Sequence, residues 1–196
     1  MKKSKYYNMV TIRIATELDY PAICDLRVAE YRNAKEFTIN NEELIKNIKG
    51  TILIVENSAN EIIATMQIEI ADDIEQLLLI SNSYPPLEFD LFPTFYLGKS
   101  ATERKYKNTG LNSLLRLEAI KTAIKGNEIN SICGVVYDTA PRINLLKKVG
   151  YNFIEIEPER NYLIPRVKEY FIFLRRDQFS IAEHALKLLL TKQPDR

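Results

Sequence analysis

The sequence is poor in the residues that usually mark metal, disulfide and histidine chemistry. Its 196 residues include no tryptophan, a single histidine (His184) and two cysteines, Cys24 and Cys133. The cysteines lie far apart in the chain and match no metal-ligand spacing. We therefore expect two reduced thiols in the core and no metal site.

An excess of one charge and long apolar runs are also absent. The chain has 27 Lys and Arg against 26 Asp and Glu, which excludes a general charge-driven affinity for nucleic acid or membranes. No apolar run approaches the ~20 residues that a membrane-spanning helix needs. Met1–Met9 is polar and basic with no apolar segment behind it, so we expect no signal peptide. These features predict a cytoplasmic protein with no membrane span.

What the chain has in quantity is apolar residues, at 46%, in patterns that alternate between strand and helix. The predicted strands are Val10–Ala15, Thr51–Val55, Glu61–Ile70, Thr94–Thr102, Ser131–Tyr137, Tyr151–Ile156 and Lys168–Arg175. The predicted helices are one that Thr16 caps and that ends near Ala34, and those at Glu42–Ile48, Asp72–Ile80, Gly110–Lys125, Ala140–Val149 and Gln178–Thr191. The order predicts an α/β (α+β) fold with a mixed, mostly antiparallel sheet of about seven strands and helices on both faces.

The domain organisation follows from the same reading. We expect a tail over residues 1–9, one domain over 10–175, and a C-terminal helix and tail over 176–196. Residues 72–91 break the pattern and are interpreted as a segment inserted before the fourth strand. In the first helix, Ile23, Leu26 and Ala29 are expected to form the apolar stripe. Gly98, inside the fourth strand, indicates a bulge or a close backbone approach.

The most informative stretch is Lys107-Asn108-Thr109-Gly110-Leu111-Asn112, which follows the fourth strand and opens a long amphipathic helix. The first turn of a helix has N–H groups without intrahelical partners, and the helix dipole favours an anion there. A basic side chain and a glycine at this position suit a diphosphate group. Lys99, Arg104 and Lys105 add local positive charge against Glu103. The stretch therefore predicts a site for a phosphate-containing cofactor.

The segment Ser100–Leu115 resembles the acyl-CoA-binding motif of the GNAT N-acetyltransferase superfamily, whose pattern is Arg/Gln-x-x-Gly-x-Gly/Ala between a strand and a helix. Lys107 takes the basic position, Gly110 the central glycine and Asn112 the last small position. Two further segments are similar to the family's opening strand with its helix entry and to its closing turn: Ile12–Ile23 and Lys147–Tyr151. The resemblance covers roughly residues 10–175.

The resemblance implies acetyl-CoA or another acyl-CoA as the cofactor. The amides of Lys107, Asn108, Thr109, Gly110, Leu111 and Asn112 would hold its diphosphate. Ala101 and Thr102, at the end of the fourth strand, would polarise the thioester carbonyl through their N–H groups. The acceptor would be a primary amine of a small molecule or a peptide.

The chain departs from the family pattern where acid–base chemistry is expected. The family's frequent general-acid tyrosine corresponds to Leu146, and its frequent asparagine at the start of that helix to Thr139. Tyr96 on the fourth strand and Asp138 after the fifth are our candidates for catalytic residues. Alternatives are Tyr137 and, on the inserted segment, Glu88 and Asp90. A purely structural interpretation also stays open for these residues: Tyr96 as a core aromatic residue, Asp138 as part of a helix cap, and Glu88 and Asp90 as surface charges.

Three functions remain open from the sequence. The first is transfer of an acyl group, expected to be acetyl, from coenzyme A to an amine. The second is transfer of a long acyl chain from acyl-CoA or an acyl-carrier protein, since the inserted segment and extended C-terminus resemble the N-acyl amino acid and acyl-homoserine-lactone synthases. The third is a non-catalytic sensor that binds an acyl-CoA, or an interaction module that binds a partner. The amphipathic C-terminal helix could pack on its own domain, wall a long acyl chain or form a homodimer contact.

Overall fold

The structure is a computed structural model that describes residues 9–32, 47–81, 85–86, 88–138, 140–156 and 168–191. Its strands are β1 (Thr11–Ile14), β2 (Thr51–Glu56), β3 (Ile62–Ala71), β4 (Thr94–Thr102), β5 (Ser131–Tyr137), β6 (Asn152–Ile156) and β7 (Glu169–Arg175). They form one sheet in the order β1-β2-β3-β4-β5-β7-β6. The predicted seven-stranded sheet is therefore confirmed.

The sheet is mixed, because it contains both antiparallel and parallel pairs of neighbouring strands. The pairs β1–β2, β2–β3, β5–β7 and β6–β7 are antiparallel. β4 and β5 run parallel in a register that joins Thr94 to Ser131 and Tyr96 to Cys133. This register covers only the first three residues of β4, although β4 continues to Thr102.

Five α-helices accompany the sheet in the described part of the chain: α1 (Tyr20–Arg32), α2 (Ile74–Ser81), α3 (Leu111–Gly126), α4 (Ala140–Val149) and α5 (Phe179–Thr191). The helix expected over Glu42–Ile48 lies mostly outside the described residues, and Asn47–Lys49 has no helical structure. No helix in the described ranges is both long and apolar enough to cross a membrane.

The Cα positions divide the chain into two compact units. The first contains residues 1–68, 99–118 and 186–196, and the second contains 69–98 and 119–185. In the first unit, Ile23 of α1 packs with Ile52 and Ile54 of β2 in a buried cluster. This unit contains the stretch that opens α3.

The second unit has an aromatic core. Phe89 makes edge-to-face contacts with Phe92, Phe171 and Phe173 at centroid distances of 5.0–5.7 Å. Tyr96, Cys133 and Leu77 of α2 are buried in the same cluster. The inserted segment 72–91 therefore contributes Leu77 and Phe89 to the buried core of this unit.

One expectation about α1 is wrong in detail. Ala29 is exposed, whereas Ile23, Arg27 and Glu30 are buried. The spacing of these three residues is helical, but two of them are charged. A buried charge needs a partner. The inward face of α1 is thus polar at two positions, and the contacts made there bear on the candidate site.

Candidate functional site

The turn that opens α3 has an unusual backbone. Asn108 has a φ of +65° and Gly110 a φ of +89°, both in the left-handed region. Glycine populates this region at no steric cost, and asparagine tolerates it better than most residues. The Gly110 carbonyl accepts the first helical hydrogen bond, from the Leu114 amide at 2.9 Å. Gly110 therefore occupies the N-cap position of α3.

Local hydrogen bonds hold the turn in shape. The amide and the hydroxyl of Thr109 both donate to the Tyr106 carbonyl, at 3.3 and 2.6 Å. The Lys107 amide donates to the Arg104 carbonyl at 3.2 Å. The amides of the first helical turn, Leu111 to Ser113, have no intrahelical acceptor by the geometry of an α-helix. The arrangement presents donors and the positive end of the helix dipole at one place.

The side chains of this turn are unequally available. Lys107 and Asn108 are exposed, whereas the Leu111 side chain is buried, so Leu111 has only its amide to offer a ligand. The Asn112 Oδ1 accepts a hydrogen bond of 3.1 Å from Nε of Arg116, one turn further along α3. Asn112 at the last small position of the motif is thereby turned toward its own helix.

The lysines of this region contact oxygen atoms of neighbouring residues. The Lys107 Nζ lies 2.7 Å from Oε2 of Glu30, and the Lys105 Nζ lies 2.8 Å from Oε1 of Glu103. The Lys99 Nζ donates to the Asn47 carbonyl at 2.7 Å. Each of the three lysines that give the sequence its local positive charge therefore already has an acceptor.

Glu30 is a residue that the sequence interpretation missed. Its Oε1 accepts the Arg104 amide at 2.9 Å while its Oε2 pairs with Lys107. Four residues before it in α1, the Arg27 Nη1 donates to Oε1 of Gln67 at 3.0 Å. The signal that could have found both was present: charged residues stand at helical spacing from the buried Ile23.

The end of β4 lies in the same unit as the turn. Ala101 is buried and Thr102 half-buried, and they are the last two residues of the strand. The Glu103 amide, just beyond them, donates to the Ile63 carbonyl of β3 at 2.9 Å. The Tyr31 hydroxyl of α1 donates to the Ser100 carbonyl at 3.3 Å. The part of β4 nearest the turn is thus held by β3 and by α1.

Tyr96 and Asp138, the residues predicted to be catalytic, lie in the second unit and are not adjacent. Tyr96 is buried in the apolar cluster and stands opposite Cys133 in the register. Asp138 follows Cys133 by five residues, about 16 Å along an extended strand. The Asp138 side chain is exposed, and its amide donates to the Lys168 carbonyl at 2.8 Å. The structure does not pair them, and the role of each stays a prediction.

Gly98 makes room for the Tyr96 ring. A Cβ atom at Gly98 would lie 2.8 Å from Cε1 of Tyr96, closer than real side chains approach. The next residue, Lys99, has a φ of +45°, a left-handed conformation inside the strand. The expected irregularity in β4 is confirmed, with the close approach at residue 98 and the backbone distortion at residue 99.

Four further residues were singled out in the sequence, and two of them, Cys133 and Leu146, are buried in the core. Burial raises the pKa of the Cys133 thiol to about 12, although a hydrogen bond from Thr94 opposes the shift. Cys133 is a free, buried thiol, as the sequence predicted, and the raised pKa keeps it neutral. Leu146, where the family has its tyrosine, is buried in the core. His184 is exposed on α5, and Thr139 lies outside the described residues.

The inserted segment borders a separate depression in the second unit. A pocket of about 160 Å³ is lined by Pro86, Glu88, Phe89, Asp90, Leu91, Ile154, Phe173 and Arg175. Glu88 and Asp90 are exposed at its rim. Leu77 is fully buried whereas Leu79 is 81% exposed, so the apolar run 77–80 does not line one continuous surface.

Comparison with protein-family models finds no match, and comparison with curated proteins finds none either. Solved structures do match. A histone acetyltransferase HPA2-related acetyltransferase from Corynebacterium glutamicum is similar with a TM-score of 0.62 and 22% identity, over 84% of this chain and 95% of its own. A GNAT-family acetyltransferase from Staphylococcus aureus Mu50 gives a TM-score of 0.60 at 15% identity, over 85% and 98%.

A third match was solved with a ligand. The structure of yncA from Salmonella typhimurium with its cofactor acetyl-CoA has a TM-score of 0.61 at 15% identity, over 86% of this chain and 94% of its own. Each match covers nearly the whole of the similar protein and most of this chain. The chain therefore has the fold of the GNAT N-acetyltransferases.

Proposed function

We propose that this protein is an N-acyltransferase that takes an acyl group, most simply acetyl, from coenzyme A and transfers it to a primary amine. The observation that carries the proposal is the turn at Gly110. Its left-handed glycine sits at the N-cap of α3, and the open amides of the first helical turn follow it. The similarity to a structure solved with acetyl-CoA supports the same cofactor.

In this proposal the diphosphate of the cofactor binds the amides of Lys107–Asn112, and the pantetheine arm runs along β4 toward Ala101 and Thr102. The acceptor nitrogen attacks the thioester carbon, the C–S bond breaks, and the sulfur leaves as a thiolate. The attacking amine must give up a proton. Asp138, exposed at the end of β5, is the better candidate for accepting it, because Tyr96 is buried among apolar side chains.

One observation on the inserted segment leads us to place a short acyl group before a long one. A long acyl chain needs a continuous apolar channel, and the inserted segment and the C-terminal helix are the two parts of the sequence that could line one. Leu77 instead packs against Phe89, Tyr96 and Phe171 in the core. Acetyl-CoA is accordingly the first donor to test, with a long-chain acyl-CoA and an acyl-carrier protein as the next two.

A non-catalytic acyl-CoA sensor is the second candidate, because one observation favours it specifically. Leu146, fully buried, occupies the position where the family's general-acid tyrosine is frequent. The thiolate would then leave without a proton from that position. A homodimer through α5, whose Ile181 and Leu188 are exposed, also remains a proposal.

Two measurements test these functions. Calorimetry with acetyl-CoA and with a long-chain acyl-CoA should show tighter binding of the former, and a protein that binds neither would contradict the proposal. Release of free thiol from acetyl-CoA in the presence of a panel of amines then separates the two candidates. Binding with thiol release indicates a transferase, whereas binding without release for every amine indicates a sensor.

A further inference from the structure

The buried carboxylate of Glu30, on α1, contacts the turn of residues 107–110 that precedes α3, where we propose that a diphosphate binds. Glu30 is 9% exposed. One of its carboxylate oxygens contacts a backbone amide before the turn, and the other contacts a lysine side chain of the turn. Oε1 accepts the Arg104 amide at 2.9 Å, and Oε2 lies 2.7 Å from the Lys107 Nζ. No sequence motif singles out this residue.

The two contacts have different consequences. The hydrogen bond to the Arg104 amide holds the backbone, and a neutral oxygen acceptor could make it as well. The contact with Lys107 is an ion pair, and only a carboxylate can neutralise the ammonium. Lys107 is 47% exposed on the outer side of this pair, whereas the Glu30 side chain is 10% exposed. An anion arriving from solvent therefore meets the lysine and not the carboxylate.

We infer that Glu30 is a positioning residue that serves as the internal counter-anion of the diphosphate site. In the absence of ligand it holds Lys107 over the turn and fixes the Arg104 amide. When a diphosphate binds, the Lys107 ammonium moves toward the phosphate oxygens, and its ion pair with Glu30 reduces the affinity. Glu30 thus prevents tight retention of a diphosphate ligand. This inference rests on the proposed function only for the identity of that ligand.

The test is the charge-neutral variant Glu30→Gln, which keeps an oxygen acceptor for the Arg104 amide. Its dissociation constants should fall about fivefold for inorganic diphosphate and for coenzyme A, the size expected for freeing a half-exposed cation from its partner. Pantetheine, which lacks the diphosphate, should bind as it does to the wild type. The matched control is Asp25→Asn, an equal charge change on the exposed face of α1, which should alter none of these constants.

The outcomes separate this inference from the proposed function. Unchanged or weaker diphosphate binding in Glu30→Gln overturns the inference, and so does an equal gain for pantetheine. If inorganic diphosphate binds and the variant strengthens it while coenzyme A does not bind, the inference stands and the proposed function falls. If neither ligand binds the wild type, both fall.

A measurement on the wild-type chain does not depend on whether the variant folds. In an NMR spectrum, the chemical shift of the Lys107 Nζ should change when inorganic diphosphate is added, because the ammonium exchanges a carboxylate partner for a phosphate. A resonance that stays in place at saturating diphosphate would contradict the exchange. The double variant Glu30→Gln with Lys107→Gln provides a further check, since the two single effects on affinity should not add.

Discussion

Two glycine turns of this protein look alike in sequence and differ in what they do. Gly110 precedes α3 with a φ of +89°, and Gly150 follows α4 with a φ of +98°; both have a lysine three residues earlier. At Gly150 the amides that follow the helix donate back to its last turn. The Gly150 amide donates to the Leu146 and Lys147 carbonyls at 3.1 Å, and the Tyr151 amide donates to the Leu146 carbonyl at 3.1 Å.

The difference lies in which end of a helix each glycine serves. A chain that continues past a C-terminus can satisfy the last carbonyls with its own following amides, as the turn at Gly150 does. At an N-terminus the unsatisfied groups are donors, and an anion is one of the partners that can accept from them. The two turns therefore suit different roles: we propose an anion site at Gly110, whereas the hydrogen bonds at Gly150 are those of a helix C-cap.

The largest effect is expected from exchanging each glycine for alanine. A Cβ at positive φ costs about 1 kcal/mol or more, so Gly110→Ala and Gly150→Ala should lower the free energy of unfolding similarly. A Cβ at Gly150 would meet no atom within 4 Å, so strain is its only cost. Gly110→Ala should also weaken coenzyme A binding by about tenfold or more, because the turn must shift its amides.

Urea unfolding and calorimetry on the two variants check this prediction. Gly150→Ala should retain wild-type affinity for coenzyme A once its lower stability is taken into account. If the two variants lose affinity equally, the Gly110 turn has no special part in binding and the comparison between the turns fails.

The next effect concerns the lysines beside the two turns. Lys107→Glu places a second negative charge beside Glu30, at the position proposed for the diphosphate, and should reduce coenzyme A affinity by about tenfold at low salt. Lys148→Glu makes the same charge change in the last turn of α4, where Lys148 is exposed. It should leave the affinity unchanged. Equal affinities for Lys107→Glu and the wild type would refute the placement of the phosphates.

A smaller effect is expected at the start of α1, a third helix end, where side chains do close the turn. Oδ2 of Asp19 accepts from the Thr16 amide at 2.7 Å and from its hydroxyl at 3.0 Å, and the carboxylate pairs with Arg13. The hydrogen bond from Arg13, aided by that from the Thr16 amide, holds the pKa of Asp19 well below its usual range. Asp19→Asn should therefore cost about 1 kcal/mol of stability at pH 7 without changing coenzyme A affinity.

The pH dependence of this effect has a definite sign. Because the folded pKa is lowered, the stabilisation by Asp19 is present above the unfolded value near pH 4 and is lost as the pH falls below it. The difference in unfolding free energy between the wild type and Asp19→Asn should shrink between pH 5 and pH 2. Asp25→Asn, at an exposed position of α1, is the control. If the difference between the wild type and Asp19→Asn stays constant from pH 5 to pH 2, the lowered pKa of Asp19 is contradicted.

The smallest effect is expected at the cysteines. The raised pKa keeps Cys133 protonated at pH 8, and burial shields it from reagents. Iodoacetamide should therefore label the half-buried Cys24 and spare Cys133 in the native protein, as peptide mass spectrometry would report. Rapid labelling of Cys133 would show that β5 opens and would contradict the expectation of a buried, unreactive thiol.

The sequence predicted the features that depend on local pattern. The seven strands, the helices α2, α3 and α4, and the glycine turns at 110 and 150 follow from periodicity and from backbone preferences, which act over a few residues. The buried stripe of α3 was predicted only in part. The helical spacing predicts burial of Leu111, Leu114, Leu117, Ile120 and Ile124, but Leu114 and Ile124 are half-buried. Leu115, Ala119 and Ala123, which the spacing does not select, are buried. A helix that is covered on several sides loses the simple periodicity on which such a prediction depends.

What the sequence did not predict depends on contacts between distant residues. Glu30 and Lys107 are 77 positions apart by their numbers, and nothing local shows that one neutralises the other. The same is true of Arg27 and Gln67, which meet because α1 lies against β3. Tyr96 and Asp138 were proposed as catalytic residues only from their positions on and after predicted strands. Such a position does not reveal whether a side chain is buried in the core, as that of Tyr96 is.

The Gly98–Tyr96 contact restricts how this protein can vary. The ring of Tyr96 occupies the volume that a side chain at position 98 would need, so the two positions are not independent. A relative of this chain with alanine or serine at position 98 should carry a smaller or differently oriented residue at position 96. Engineering that enlarges residue 98 should begin by trimming its neighbour, and the paired change should be tolerated better than the first step alone.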